Sequence, residues 1–372
     1  MTVSLLFIFG FYFLLILVLL YGWEKAMMAN NEQAEKKIDK KITVVIPFRN
    51  EEVNLENIID DLVDQSYPAS SYEVIFVNDH STDRSHEIVA SKIATHSNFR
   101  LLRLPAEVEG KKRAITFGIS ESNCELIATT DADCRLESGW IASINDQFQR
   151  DRIKMVFGGV KISENDSFFS KLQALEFSSL IGSGASTLTL GYPSMCNGAN
   201  LAFQRSAFIE VGGYEGNFNI PSGDDEFLMR KINVRFPRSI GFMNSPESVV
   251  STKPQKSFKT FLYQRLRWAG KWKHNSSLYT KLLAIYIFIF QLSIIYVIGL
   301  TLSNKLDLKT AFVLLGGKIV IEFIFLSKVS FFLRAPWRTF YFLQLQFIYP
   351  FYVVVIAIAS NFISPFWKGR KI

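Results

Sequence analysis

The sequence predicts an α/β domain built on a parallel sheet and held between apolar membrane segments at both ends. Three observations carry that reading. Between residues 42 and 130, short apolar runs alternate with stretches of helical period, which is the mark of βαβ units. Residues 3–22 carry no charge and are almost wholly apolar, about the length a helix needs to span a bilayer. From residue 281 to 372 the chain is membrane-like again, so the 34 phenylalanines gather toward the two ends.

Residues 1–23 read as a retained transmembrane anchor. No positive region precedes the apolar run and no small-x-small cleavage site follows it, which argues against a signal peptide. A basic linker, 24–41, holds Lys25, Lys36, Lys37, Lys40 and Lys41. Positive charge beside a span marks the cytoplasmic side, so the body of the protein is expected in the cytoplasm with the N-terminus outside.

The globular domain is expected over 42–255. Residues 42–46 form a buried strand closed by Pro47. Val53, Leu55, Ile58, Ile59 and Leu62 then recur at helical spacing within 50–65. A second strand at 73–77 runs into the polar turn Asn78-Asp79-His80-Ser81-Thr82-Asp83, and a helix follows to about residue 95. Residues 100–104 make a third strand, 111–120 a helix opened by Gly110, and 126–130 a fourth strand. The second half is less regular. Residues 155–160 predict one strand, 168–180 a helix, 182–191 a loop rich in Gly, Ser and Thr, 197–203 a turn into a short strand, and 227–232 a helix.

Residues 256–280 are expected to be an interfacial helix, since 256–275 are basic and aromatic. The C-terminal membrane region, 281–372, offers three hydrophobic segments: 282–303, 311–326 and 340–363. The middle one is the weakest because it carries Lys318 and Glu322, and the last is interrupted by Pro350. Four spans place Lys328, Arg334 and Arg338 in the cytoplasm, as the charge rule wants, but leave Lys368, Arg370 and Lys371 outside. A re-entrant late segment would return that tail inside.

The net charge is +7, with basic residues beside apolar runs, which points to a membrane surface and away from nucleic acid. Three scattered cysteines, Cys124, Cys134 and Cys196, give neither a disulfide framework nor zinc spacing. Four histidines leave no room for a His-rich metal site.

Chemistry gathers at the ends of the expected elements. The apolar run 126–130 stops at Asp131-Ala132-Asp133. Residues two apart on an extended strand share a face, so this pair could grip a hard cation together with substrate phosphates. A solvated strand-to-turn junction would have the same sequence. Asp79 after the second strand could accept hydrogen bonds from a base or ribose, or serve only the turn. Lys111, Lys112 and Arg113 oppose a helix dipole at its start, which a bound phosphate would relieve, or they form a solvated charge run. Asp224-Asp225-Glu226 crowds three carboxylates, which raises at least one pKa and suits a general base; helix-start charge is the simpler account. Gln264, Arg267 and Trp268 share one helical face, suited to a pyrophosphate and a stacked sugar or base, or to interfacial anchoring.

Taken in order, these stretches resemble the inverting, membrane-bound family 2 glycosyltransferases of the GT-A fold, over roughly residues 42–275. The residues that carry the resemblance are Thr43 to Glu52, the 78–83 turn, Asp131-Ala132-Asp133, Asn197 to Phe203, Val211 to Tyr214, Gly223-Asp224-Asp225 and Gln264-x-x-Arg267-Trp268. The last looks like the Gln-x-x-Arg-Trp signature of bacterial polysaccharide synthases and ceramide glucosyltransferase-like enzymes. The resemblance implies a GT-A domain facing the cytoplasm of a multi-pass protein of the cell (inner) membrane. It also implies a UDP-sugar donor, Mg²⁺ or Mn²⁺, and a lipid or growing glycan as acceptor.

By the same resemblance, Asp225 takes the base position beside Asp224. Asp133, with Asp131, holds the metal. Pro47, Asn50, Glu51, Asp79, Lys111, Asp131, Gln264, Arg267 and Trp268 line the donor and acceptor ends. Two departures stand out: His80 follows Asp79 where the family has Gly, and Asp224 stands where it has Glu. A homo-oligomer or an auxiliary membrane subunit would be needed for a long polymer channel, because so few spans are available. The other readings are a metal-dependent nucleotidyltransferase and an inactive membrane scaffold of the same fold.

Overall fold

The computed structural model describes residues 2–29, 38–163, 167–218, 220, 223–270, 278–335, 339–363, 366–367 and 370–371. Lys36 and Lys37 of the basic linker, residues 271–277 of the expected interfacial helix, and Arg338 and Lys368 lie outside the described residues.

An apolar helix, α1 (Thr2–Met28), leads into β1 (Ile42–Phe48), whose seven residues are all buried. Two βα units follow: α2 (Leu55–Val63), β2 (Tyr72–Asn78), α3 (Ser85–Lys92) and β3 (Phe99–Arg103). Next come α4 (Lys111–Ser120), β4 (Leu126–Thr129) and α5 (Trp140–Gln147). β1, β2 and β4 are parallel neighbours, with Phe48 opposite Asn78 and Val45 opposite Thr129. Their carboxyl ends therefore meet at one edge, where ligands of such sheets bind.

The sheet is mixed, not purely parallel. Its order is β3-β2-β1-β4-β7-β5-β8, and β7 (Leu201–Gln204) runs antiparallel to both β4 and β5 (Met155–Gly158). The expected single strand at 155–160 is two. After Gly158 the chain leaves the main sheet, and β6 (Val160–Ile162) pairs with β9 (Val250–Thr252) in a separate ribbon. Gly159 marks the break, since a Cβ there would stand 2.8 Å from Leu333. β8 (Ile240–Met243) closes the far edge of the main sheet.

The expected loop at 182–191 is helix. α6 runs from Phe168 to Thr189. Ser186, Thr187 and Thr189 return their hydroxyls to the carbonyls of Gly182, Ser183 and Ala185, so these polar residues stay inside a helix. Their small size is what the packing needs, because it lets helix backbones approach closely. A Cβ on Gly22 of α1 would lie 2.7 Å from the Ser186 carbonyl oxygen. Gly22→Val is expected to cost about 1–3 kcal/mol by overpacking. An unchanged thermal midpoint of the detergent-solubilised variant would sink this account of the α1–α6 contact.

α7 (Arg205–Glu210) and α8 (Asp224–Arg235) precede β8, and α9 (Phe258–Gly270) follows β9. α9 is tied inward by buried Phe261, Arg265 and Leu266, with Phe258 exposed. Three long helices close the chain: α10 (Leu278–Leu302), α11 (Leu308–Phe332) and α12 (Thr339–Ala359). With α1, four helices among the described residues are long and apolar enough to cross a membrane. The weak middle segment is thus a helix of 25 residues. Its charges face protein: Lys318 Nζ donates to Glu322 Oε2 at 2.9 Å, and Glu322 also accepts from Tyr12 of α1 and Gln346 of α12. Intramembrane charge tolerated in this way is neutralised inside the bundle.

The helices and the sheet share one hydrophobic core. Trp23 of α1, 2% exposed, packs on Phe242 of β8 and Phe332 of α11.

Candidate active site

The carboxyl ends of β1, β2 and β4 open on a cavity of about 1360 Å³. Of the site residues expected from sequence, Pro47, Glu51, Asp79, Lys111, Asp131, Asp133, Asp224, Asp225, Gln264, Arg267 and Trp268 all line it. Asn50 does not line it. It takes a positive φ of 53° in the turn after β1, and its side-chain oxygen accepts from the Thr82 backbone N–H at 2.8 Å. Asn50 ties the β1 and β2 turns together.

Asp79 is 3% exposed and follows β2 directly. Its backbone N–H donates to Phe48, and its Oδ2 accepts from the Gly110 N–H at 3.1 Å. Gly110 has φ 105°, the left-handed region where glycine is favoured, and from there the chain turns into α4. His80 adopts φ 55°, and its Nε2 lies 3.0 Å from the Val108 carbonyl oxygen. The turn thus keeps a positive φ although His stands there, a conformation that His visits more readily than most residues.

The basic start of α4 divides its three cations. Lys111 turns into the cavity, 2.6 Å from Asp131 Oδ1 and 3.4 Å from Asp224 Oδ2. Burial pulls the Lys111 pKa down, but Asp131 and Asp224 outweigh that and hold it well above its ordinary value. Lys112 donates instead to the carbonyls of Asn217 and Ile220 at 2.6 and 2.7 Å. Arg113 donates to the Glu109 carbonyl and lies over Phe218. Part of the anion that this helix start calls for is therefore supplied by the protein.

The three acids at the start of α8 are handled separately. Asp224 faces Lys111, and Glu226 pairs with Arg230 one turn on. Asp225 accepts from two backbone N–H groups, Gly198 at 3.0 Å and its neighbour Glu226 at 2.7 Å. Each carboxylate has its own compensating group, which differs from the mutual repulsion expected of the triplet. Gly198 belongs to the 197–203 stretch that carries the resemblance. A Cβ there would come within 3.2 Å of Asp224 Oδ2. It sits in the turn before β7, whose Ala199 and Asn200 are buried, and Thr129 Oγ1 donates to its carbonyl at 3.3 Å.

α9 brings Gln264, Arg267 and Trp268 to the same cavity. Burial lowers the Arg267 pKa, while Asp224, Asp131 and Asp225 pull it back up, so the guanidinium lies within electrostatic reach of all three acids. Among the described residues no three His, Cys, Asp or Glu side chains form a metal cage. Asp131 and Asp133 at one cavity wall form the kind of donor set that holds a hard cation only with substrate oxygens present. The cavity continues past Glu176 and Tyr352 to Gln291, Glu322, Gln346 and Tyr349 among the long helices.

A family model described as Glycosyl transferase family 2 matches residues 43–212. These residues are a family 2 glycosyltransferase domain. Over 189 residues the chain is 26% identical to the poly-beta-1,6-N-acetyl-D-glucosamine synthase of Staphylococcus aureus, covering 50% of this chain and 45% of that protein. The protein of the same name from Staphylococcus epidermidis is 24% identical over 262 residues, 67% of this chain and 60% of that one. The chain thus spans about half the length of the curated relatives it matches. A mannosyltransferase from Pyrobaculum calidifontis, solved with GDP-Man and Mn²⁺, superimposes with a TM-score of 0.58 at 16% identity, covering 97% of this chain and 99% of that one. That likeness is one of fold: a GT-A-like mixed sheet with long apolar helices at both ends of the chain.

Proposed function

We propose that the protein is an inverting glycosyltransferase that moves a sugar from a nucleotide-sugar, a UDP-sugar, to a lipid or growing glycan at the cytoplasmic face of the cell membrane. The product would serve surface polysaccharide or glycolipid synthesis. The observation that carries the reading is one shared cavity. It places the Asp131–Asp133 end of β4, Asp225 of α8 and the Gln264–Arg267–Trp268 face of α9 around one space that runs on between the long helices.

In this reading the nucleoside lies by Asp79 and Pro47, with Glu51 beside them. Mg²⁺ or Mn²⁺, held by Asp133 with Asp131 and the donor phosphates, would supply neutralisation of charge on the leaving diphosphate. Arg267 and Lys111 face the same phosphates, and Gln264 orients them. Asp225 takes the proton of the acceptor hydroxyl as that oxygen attacks the anomeric carbon from the side opposite the diphosphate. One displacement inverts the centre. Trp268 offers a ring face to the acceptor sugar or headgroup, and Asp224 holds Lys111 in place. The apolar cavity walls exclude water that would otherwise compete for the donor.

The N-acetylglucosamine polymer in the relatives' names puts UDP-N-acetylglucosamine first in a donor panel. The test is release of free nucleoside diphosphate by the full-length protein in membrane lipid, with UDP-, GDP- and dTDP-sugars, with and without EDTA. Release with one donor, abolished by EDTA and restored by Mg²⁺ or Mn²⁺, is expected. No turnover with any donor would favour a scaffold. Pyrophosphate release from a nucleoside triphosphate would favour nucleotidyl transfer.

A further inference from the structure

Glu176 of α6 and Arg265 of α9 form a buried ion pair, 5% and 4% exposed, in the wall of the cavity. Two side chains of opposite charge, 89 residues apart in sequence, are held in a bidentate fork. Arg265 Nε reaches Glu176 Oε1 at 3.1 Å, and Nη2 reaches Oε2 at 2.5 Å. Such a pair is weak evidence for stability, because apolar residues of the same volume often serve a core as well or better. Its placement says more. The remaining arm of the guanidinium, Nη1, donates to Gln264 Oε1 at 2.6 Å. The guanidinium carbon stands 4.3 Å from the Trp268 ring centroid and 4.5 Å from that of Phe261. One group therefore touches two of the three site residues on α9. A strut between α6 and α9 would need only the contact with Glu176.

We propose that Arg265 is a positioning residue. Clamped by Glu176, it sets the Gln264 amide and the Trp268 ring in the orientation from which they meet the diphosphate and the acceptor. The roles of Gln264 and Trp268 rest on the glycosyltransferase reading above; the positioning itself does not. Tyr352 of α12 extends the clamp, its hydroxyl donating to Glu176 Oε1 at 3.5 Å. A helix of the membrane bundle is thereby joined to the group that orients the site. Arg267, three residues from Gln264, faces the acids and takes no part in the clamp.

The test uses full-length protein in lipid nanodiscs and the variants Arg265→Lys, Arg265→Met and Glu176→Gln. The first readout is emission of Trp268, isolated by subtracting matched Trp268→Phe backgrounds, with acrylamide quenching and anisotropy. The second is acceptor KM beside the donor dissociation constant. Arg265→Lys keeps the charge and its partner but loses the fork and the flat face. It is expected to raise Trp268 quenching roughly twofold, acceptor KM about tenfold and, through Gln264, the donor dissociation constant by a smaller factor of about threefold. Glu176→Gln should follow in the same direction, and it keeps the test decisive where Arg265→Met fails to fold. Wild-type quenching and acceptor KM in Arg265→Lys would overturn the proposal. So would a loss of donor affinity equal to the loss at the acceptor side in a folded variant. If the wild type turns over no donor, the glycosyltransferase reading fails and the quenching comparison alone decides the positioning.

Discussion

Asp225→Asn is expected to lower sugar transfer by about 10³-fold while nucleotide-sugar binding stays within about twofold of wild type. The structure makes this a clean substitution. Asp225 is fixed by the N–H groups of Gly198 and Glu226, on opposite oxygens. Asparagine has the same shape and keeps one accepting oxygen, so one of those N–H groups loses its partner, a cost of about 1 kcal/mol in stability. What disappears is the capacity to take a proton. Initial rates of nucleoside diphosphate release, set beside donor binding by calorimetry, read the two effects separately. Equal loss of both would move Asp225 from base to binding group, and a larger effect in Asp224→Asn would exchange the two roles.

The second large effect is expected at Arg267. Arg267→Ala should reduce kcat by about 10²–10³-fold at saturating donor and metal, with Arg267→Lys recovering part of it. Asp131, Asp224 and Asp225 all act electrostatically on this guanidinium. Removing it leaves those acids facing an incoming diphosphate, while Lys111 is already 2.6 Å from Asp131. Like charges then add to the cost of forming more negative charge on the leaving group. Rates measured across a metal titration check the claim. A kcat for Arg267→Ala within about threefold of wild type would show that this side chain does not meet the leaving group.

The parts of the site that were legible in the sequence are those written locally. An apolar run that stops at two carboxylates marks a strand end whatever the rest of the chain does, and β4 ends just before Asp131. A helix opened by Gly110 and Lys111 begins where its glycine permits the turn. What was not legible depends on partners far away in sequence. The 182–191 stretch has loop composition, and only its contact with Gly22 and the long helices shows why small residues belong in a helix there. The antiparallel course of β7 is set by where the chain re-enters after α6, which no short window records. Lys111, Lys112 and Arg113 look alike in sequence, and the carbonyls of Asn217 and Ile220 decide that Lys112 is spent elsewhere. Arg265 sits between Gln264 and Arg267 at a position the sequence pattern leaves open, and Glu176 lies in another element altogether. Asn50 enters through the 43–52 stretch of the resemblance, and no local pattern records that its positive φ goes with a side chain bonded to the Thr82 N–H.

The shared core has a practical meaning for anyone wishing to separate the sheet domain from the long helices. Asn244, at the end of β8, donates to the carbonyls of Ala26 and Met27 where α1 runs out. Gly159 of the sheet half leaves room for Leu333 and Phe332 at the end of α11. A fragment trimmed to begin at Ile42 would strip Trp23 from Phe242 and leave the sheet with an unsealed apolar flank. The molecule has no severable head: the long apolar helices are the back wall of the sheet half.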